Sequence, residues 1–161
     1  MSTSRTAGRR VFLAAPFTQV MDDGRKVRGG FKTYIERIYS YLESLGYEVI
    51  SAHIREGWGA KLDTPEQAIA LDFAGIDMSD ALVVLMGMAP SEGVPLEIGY
   101  AVGRGKPIVV VLQVPAAGVG DSLSVHYLLE GLPAVAKAAI RPVHDLGETE
   151  EVVREGLERV L

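Results

Sequence analysis

Residues 80–112 read DALVVLMGMAPSEGVPLEIGYAVGRGKPIVVVL. Residues 81–86 form a short and almost wholly apolar run rich in Val and Leu, which is typical of a strand buried on both faces of a parallel sheet. The turn that follows holds two glycines, a proline and Ser91, and Pro95 then suits the first turn of a helix. That helix carries Glu97 and ends before a second apolar run. The stretch therefore predicts one strand-helix-strand unit with an acid near its mouth.

Strands and helices alternate along the rest of the chain. Strands are predicted at residues 10–15, 47–52, 81–86, 107–112 and 138–143, with helices between them and an amphipathic helix at 149–161. This alternation predicts an α/β fold, a doubly wound five-stranded parallel sheet in the order 2-1-3-4-5 with helices on both faces. Its ligand crevice is expected where the order reverses, between strands 1 and 3.

Length and composition limit the classes of protein to which the chain can belong. Its 161 residues fit a single domain, predicted at 10–161 after a disordered start at 1–9. The chain has no cysteine and its three histidines are scattered, so no metal site is predicted. The net charge of −5 makes nucleic acid a poor partner. With no signal-peptide pattern and no apolar run long enough for a membrane span, a cytoplasmic protein is predicted.

Two acids are candidates for chemistry. Glu97 near a helix start has a structural explanation, since the macrodipole stabilises an acid there by roughly 0.3–1 kcal/mol. Asp72, on the preceding helix, has Ile69 and Ile76 as its neighbours along an apolar stripe. Its structural explanation is a hydrogen bond to a nearby loop amide. Both explanations stay open, but two acids that face one crevice also suit acid–base chemistry.

Three loops are expected at the same edge of the sheet. Residues 16–19 after strand 1 place Phe17 there, and the polar stretch 20–30 reads equally well as a functional loop or a plain connector. The loop 53–59, HIREGWG, holds Arg55 and the single tryptophan, Trp58. A lone tryptophan usually packs in the core, but its position between two glycines on the ligand side favours a pocket wall.

Several sequence motifs together resemble those of a known family. The segment VFLAAPF, Asp72 eight residues before Asp80, the strand ALVVLM and S-x-G-x-x-x-E-I-G-Y-A-x-x-x-G-K-P resemble the nucleoside 2-deoxyribosyltransferase superfamily. Within it the chain looks closer to the nucleoside 5′-monophosphate N-glycosidases. Ser91 with Gly93 matches the phosphate-binding Ser-x-Gly of the deoxynucleotide N-hydrolases, and AHIREGWGA is similar to a segment of the cytidylate and hydroxymethylcytidylate hydrolases, as in mildiomycin biosynthesis.

The resemblance implies a role for each matching residue. Glu97 would be the nucleophile that attacks the anomeric carbon, and Asp72 the acid that orients it or protonates the departing base. Ser91 and Gly93 would bind the phosphate, together with Ser124 lent by a neighbouring subunit. Phe17, Thr18, Trp58 and Arg55 would contact base and sugar, although Thr18 stands where the cytidylate hydrolases have an arginine. No cofactor is implied.

Three functions therefore compete. The first is an N-glycosidase that releases the base from a nucleoside 5′-monophosphate, with CMP or 5-hydroxymethyl-CMP favoured, through a covalent Glu97 intermediate. The second is a deoxyribosyltransferase acting on unphosphorylated nucleosides, which Ser91 and Ser124 argue against. The third is a non-catalytic nucleotide-sensing module. A homodimer with a shared active site is expected, although Ser124 equally suits capping of its own helix.

Overall fold

The computed structural model describes residues 8–87, 89–114 and 123–161, with the backbone alone for 123–126. One sheet contains the five strands of this part of the chain: β1 (Arg10–Ala14), β2 (Glu48–Ile50), β3 (Ala81–Met86), β4 (Ile108–Gln113) and β5 (Ala138–Val143). Neighbouring strands are parallel and lie in the order β2-β1-β3-β4-β5. The predicted fold class is confirmed.

Helices connect the strands. They are α1 (Gly29–Ser44), α2 (Ala52–Arg55), α3 (Pro65–Met78), α4 (Gly93–Gly103), α5 (Leu123–Glu130) and α6 (Thr149–Val160), with 3₁₀ turns at Thr18–Val20, Gly57–Gly59, Leu132–Ala134 and Leu146–Glu148. No helix of the described residues is long and apolar enough to cross a membrane.

The two faces of the sheet carry separate apolar layers, because successive side chains of a strand point to opposite faces. One layer joins alternate residues of the strands to α1 and α6, with Ile35, Ile38 and Leu157 fully buried. The other joins the remaining strand residues to α3 and α4, with Ile76 and Ile98 buried. This is the doubly wound arrangement, and it leaves the carboxyl edge of the sheet open for loops.

The local signals for α3 hold in detail. Thr64 Oγ1 accepts a hydrogen bond from the Gln67 amide, and the Gln67 side chain accepts one from the Thr64 amide, so the predicted capping box is present. Proline occupies the first helical position. A helix fixed this firmly at its start presents Asp72, two turns on, at a defined place beside the sheet.

Two predicted loops contain ordered structure. In the stretch 20–30, Met21 pairs with Val27 in an antiparallel bridge, and α1 already begins at Gly29. Val20 and Val27 are buried, which explains why this charged, glycine-rich stretch folds back on the protein. The loop 53–59 likewise contains the end of α2 and a 3₁₀ turn. In both places short-range polarity suggested a loop, and long-range burial determined the structure.

Candidate active site

A cavity of about 580 Å³ lies at the carboxyl ends of β1 and β3, where the sheet order reverses. Its size suits a small-molecule ligand. Polar groups from five segments line it, and they are Thr18, Gln19, Arg25, His53, Glu56, Asp63, Thr64, Asp72, Ser91 and Glu97. Phe17 and Gly93 also line it. The cavity thus brings together six of the nine residues predicted for the site.

Glu97 is the most perturbed acid of the cavity. It is the fifth residue of α4 and not in its first turn, so the expected macrodipole explanation does not apply. Its side chain is buried, with 9% of the residue exposed. Burial and, to a lesser extent, the charge of Asp72 raise the pKa of Glu97 to about 8, while the charge of Arg55 opposes both effects. In the free protein at neutral pH this carboxyl therefore holds a proton most of the time.

Asp72 is paired to a guanidinium. Its Oδ1 accepts a hydrogen bond of 2.8 Å from Arg55 Nη1, so its partner is a side chain and not the loop amide expected in the structural explanation. Burial raises the pKa of Asp72, while the Arg55 hydrogen bond and charge lower it. Two neighbouring carboxyls in one cavity thus have different electrostatic surroundings, which is the usual basis for different roles.

Arg55 contacts three carboxylates. Besides Asp72, its Nε donates to Asp63 at 2.9 Å and its Nη2 donates to Glu56 at 3.0 Å. It is absent from the residues lining the cavity, and its guanidinium is directed at these acids. The predicted contact of Arg55 with base or sugar is therefore replaced in the free protein by an internal ion-pair cluster.

The turn before α4 is the place where an anion site is predicted. Ser91 and Gly93 both line the cavity. Ser91 Oγ accepts a hydrogen bond of 3.2 Å from the Val94 amide, so the serine ties the turn to the helix start. Its hydroxyl proton stays available to a ligand oxygen, as does the Gly93 amide at the first position of α4. Ser124 lies in α5, but its side chain falls outside the described part of the structure.

Aromatic rings surround a buried histidine at the cavity wall. The His53 ring lies 4.6 Å from the Phe17 ring, edge to face, and 5.6 Å from the Trp58 ring. Burial lowers the pKa of His53 to about 4, so the ring is neutral, and its Nε2 is 2.9 Å from the Pro16 carbonyl oxygen. Nε2 therefore donates. Trp58 is not a lining residue, so the predicted pocket wall consists of Phe17 and His53, with Trp58 behind His53.

Next to the lining residue Arg25, two backbone turns are in direct contact. The Val27 amide donates to the Trp58 carbonyl at 3.1 Å. Gly59 has a φ of +98°, and a Cβ there would collide with the Arg25 carbonyl. This contact holds the turn of residues 22–26 against the 57–59 turn, with Arg25 among the lining residues.

Several lining residues were not predicted from the sequence, namely Gln19, Arg25, His53, Glu56, Asp63 and Thr64. His53 and Glu56 flank Arg55 in a polar run that follows a strand, and that run was a usable signal. Arg25 gave none, because its turn is held at the cavity by a contact with the distant 57–59 turn. Asp63 gave none, because its contacts with Arg55 and Glu56 depend on how the loop between them folds.

Comparisons with known proteins identify the family of the chain. The family model described as nucleoside 2-deoxyribosyltransferase matches residues 11–125. The chain belongs to this family, and membership indicates an enzyme that acts on nucleosides. No curated protein matches the chain significantly.

Solved structures resemble the chain over nearly its whole length. BlsM, known from a solution structure, is 31% identical with a TM-score of 0.75, over 94% of this chain and 93% of that one. The CMP N-glycosidase BcmB of Clostridium botulinum is 25% identical with a TM-score of 0.66, over 91% and 99%. A 2-deoxyribosyltransferase of Bacillus psychrosaccharolyticus, at 16% identity and a TM-score of 0.57 over 88% and 90%, shares the fold.

Proposed function

We propose that the protein hydrolyses the N-glycosidic bond of a nucleoside 5′-monophosphate, with a pyrimidine such as that of CMP or 5-hydroxymethyl-CMP favoured. The products are the free base and ribose or deoxyribose 5-phosphate. The observation that carries this proposal is the joint lining of one cavity by Glu97, Asp72, Ser91 and Gly93. Two acids for bond cleavage and an anion-binding turn thus face the same volume.

The chemistry explains why two acids are needed. Cleavage of an N-glycosidic bond develops positive charge on the sugar and negative charge on the base. Glu97, when ionised, attacks the anomeric carbon and forms a glycosyl ester, which water then hydrolyses. Asp72 orients Glu97 or delivers the proton that the departing base requires.

The phosphate would sit at the start of α4. The Ser91 hydroxyl and the Gly93 amide can both donate to phosphate oxygens, and the positive end of the helix dipole favours an anion there. A serine and backbone amides give an acidic protein a way to hold an anionic substrate without a basic patch. Similarity to a CMP N-glycosidase supports the monophosphate substrate further.

The base would lie at the opposite wall, against Phe17. Thr18, Gln19 and Arg25 line the cavity beyond it, so a hydroxyl, an amide and a guanidinium are available for the edge of a base. In this arrangement Arg25 supplies the positive charge that Thr18 cannot. Trp58 supports this wall through His53, and Arg55 contributes through the acids that it binds.

A panel assay tests the proposal. The protein is incubated with ribo- and deoxynucleosides and with their 5′-monophosphates, and released base is measured by chromatography. We expect base release from a pyrimidine monophosphate at least tenfold faster than from the matching nucleoside. Release from none of the compounds would refute the proposed hydrolysis, and binding without release would favour the nucleotide-sensing module.

The second candidate is deoxyribosyl transfer between bases on unphosphorylated nucleosides, which the description of the matching family favours. Both reactions share the Glu97 ester and differ in whether water or a second base accepts the sugar. Adding a free acceptor base to the panel distinguishes them, because a transferase forms a new nucleoside and a hydrolase does not.

A homodimer with a shared site forms part of the proposal. The outer faces of α3 and α4 carry exposed apolar side chains, Met78 at 56% and Leu96 at 53% exposure, which a second copy could cover. Ser124 would complete the phosphate site of that copy. Co-refolding inactive Glu97→Ala and Ser124→Asp chains would then restore activity, since one site of each mixed dimer is intact. No recovery, or a fully active monomer in sedimentation, would refute the shared site.

A further inference from the structure

The ion-pair cluster at the cavity wall has more negative than positive groups. One guanidinium, that of Arg55, contacts the carboxylates of Glu56, Asp63 and Asp72 at 2.8–3.0 Å. All three acids line the cavity, where Glu97 faces them as a fourth. The other charged group that lines the cavity is Arg25, while His53 is neutral. Four acids around one internal cation favour retention of a proton.

The geometry decides which acid is held ionised. Each of the three nitrogens of Arg55 donates to a different carboxylate, so the fork is fixed on all sides. Glu56 is itself fixed, since its other oxygen accepts the Asp63 amide at 3.3 Å. The carboxylate of Asp72 accordingly has one orientation and a charged partner. No described residue provides Glu97 with such a partner, and only 9% of this residue is exposed.

We propose that Arg55 is a positioning residue, which holds Asp72 ionised and oriented beside Glu97 so that this pair carries a single proton in the active enzyme. The inference rests on the proposed function and extends it to a residue that does not line the cavity. Arg55 lies on α2, whereas Asp72 lies on α3 and Glu97 on α4. Arg55 therefore acts on the substrate only through its contact with Asp72.

The single proton accounts for each step of the proposed reaction. It begins on Glu97 and passes to Asp72, which frees the Glu97 carboxylate. That carboxylate forms a bond to the anomeric carbon as the bond to the base breaks, and Asp72 gives its proton to the base nitrogen that receives the electron pair. Water then attacks the ester, its hydroxyl stays on the sugar, and its proton returns to the pair.

Removal of the cation should move the pH range of activity. In Arg55→Gln both apparent pKa values of the pair rise, because neither carboxylate is stabilised by a neighbouring positive charge. We expect both limbs of the pH profile of kcat to move upward by about one pH unit or more. We also expect kcat at pH 7 to fall about tenfold or more, since charge and orientation are lost together.

Two matched variants separate this role from a structural one. Arg55→Lys keeps the charge and loses the fork, so kcat should fall while the limbs stay near their wild-type positions. Arg104→Gln removes a similar ion pair, with Asp77 at 2.6 Å, outside the cavity lining and should change neither quantity. A lower kcat in Arg55→Gln with both limbs unmoved would overturn the proposal.

A change of opposite sign provides a further test. Asp63→Asn removes a negative charge that raises the pKa of Asp72, so the limbs should move to lower pH while Arg55 keeps its other two partners. An upward shift in Asp63→Asn, or none in either charge variant, would contradict the assignment.

The inference can be tested even without a known substrate. Carbon NMR of protein labelled at its carboxyl groups reports the titration of Glu97, identified by its loss in Glu97→Gln. We expect a Glu97 midpoint well above the usual range that rises in Arg55→Gln. An unperturbed midpoint refutes the proposed proton on Glu97, whereas a raised midpoint with no base release refutes only the proposed function.

Discussion

Helix α3 carries two aspartates that each contact an arginine, Asp72 in its middle and Asp77 at its end, and the comparison between them indicates what marks the site. Asp77 bonds Arg104, the residue directly after α4, at 2.6 Å and also the hydroxyl of Tyr100, in α4, at 2.9 Å. Asp72, five residues earlier, bonds Arg55 at 2.8 Å. Distance alone therefore does not distinguish the two pairs.

Their surroundings do distinguish them. The Tyr100 hydrogen bond, the largest effect, lowers the pKa of Asp77, and this aspartate joins α3 to α4 where the pair meets solvent. Burial raises the pKa of Asp72, and Glu97 stands beside it without a cation of its own. An ion pair at a helix end is ordinary, whereas an ion pair next to an unpaired buried acid in a cavity indicates chemistry.

The largest expected effect comes from removing the unpaired acid. Glu97→Gln should lower the rate of base release by at least about a thousandfold, because the nucleophile is lost, while nucleotide binding persists. Rapid-quench kinetics measures the rate of base release, and calorimetric titration measures nucleotide binding. A variant that kept a tenth of the activity would contradict the covalent mechanism.

The next largest effect is expected from the two aspartates of α3. Asp72→Asn should lower kcat by about a hundredfold or more, since general acid catalysis typically contributes that much. Asp77→Asn, the matched change at the carboxyl end of α3, should leave kcat within about twofold. Steady-state kinetics on both variants decides, and equal losses would mean that Asp72 merely supports the helix.

A smaller effect is expected at the anion turn. Ser91→Ala should lower kcat/KM for a 5′-monophosphate by about ten- to a hundredfold, as expected for one hydrogen bond to a charged group, and change the value for the nucleoside much less. Ser40→Ala on the exposed face of α1 is the control. Equal losses on both substrates would indicate that the Val94 hydrogen bond is the whole role of Ser91.

The smallest expected effect is on stability. The pKa of folded Glu97 is about 8, well above that of an unfolded glutamate. The stabilisation that comes from protonated Glu97 is therefore present at low pH and is lost as pH rises through about 8. Glu97→Gln cannot ionise, so its Tm should exceed that of wild type by several degrees at pH 8.5 and by little at pH 4.5. Calorimetry across this range checks the sign, and a gain that is independent of pH would rule out a raised pKa.

Local signals were sufficient for the fold and for part of the site. The buried runs of β3 and β4, the capping box of α3 and the turn before α4 are encoded by neighbouring residues, and each was predicted at or near its observed place. Glu97, Ser91 and Phe17 follow strand ends or lie near a helix start, so topology placed them at one edge of the sheet. Asp72 was identified differently, as an acid along an otherwise apolar stripe of its helix.

The remaining parts of the site depend on contacts distant in sequence. Arg55 was predicted to touch the substrate, but Asp72 lies seventeen residues further along the chain, and only the packing of α2 on α3 brings the two together. Trp58 was expected in the pocket wall, but it does not line the cavity. Its neighbour Gly59 lies in close contact with the Arg25 backbone, which is distant in sequence. The spacing of residues within one segment does not show which charged groups of two different segments come into contact.

The contact between the 22–26 and 57–59 turns has a consequence for redesign. The 22–26 turn is a replaceable part of the cavity lining, since it is held by backbone groups and one glycine and belongs to neither apolar layer of the core. Grafting a different five-residue turn between Met21 and Val27 would replace Arg25 in the cavity lining and leave the acids at the sheet edge in place. Under the proposed function, a library built there would alter base selectivity separately from the acids that cleave the bond.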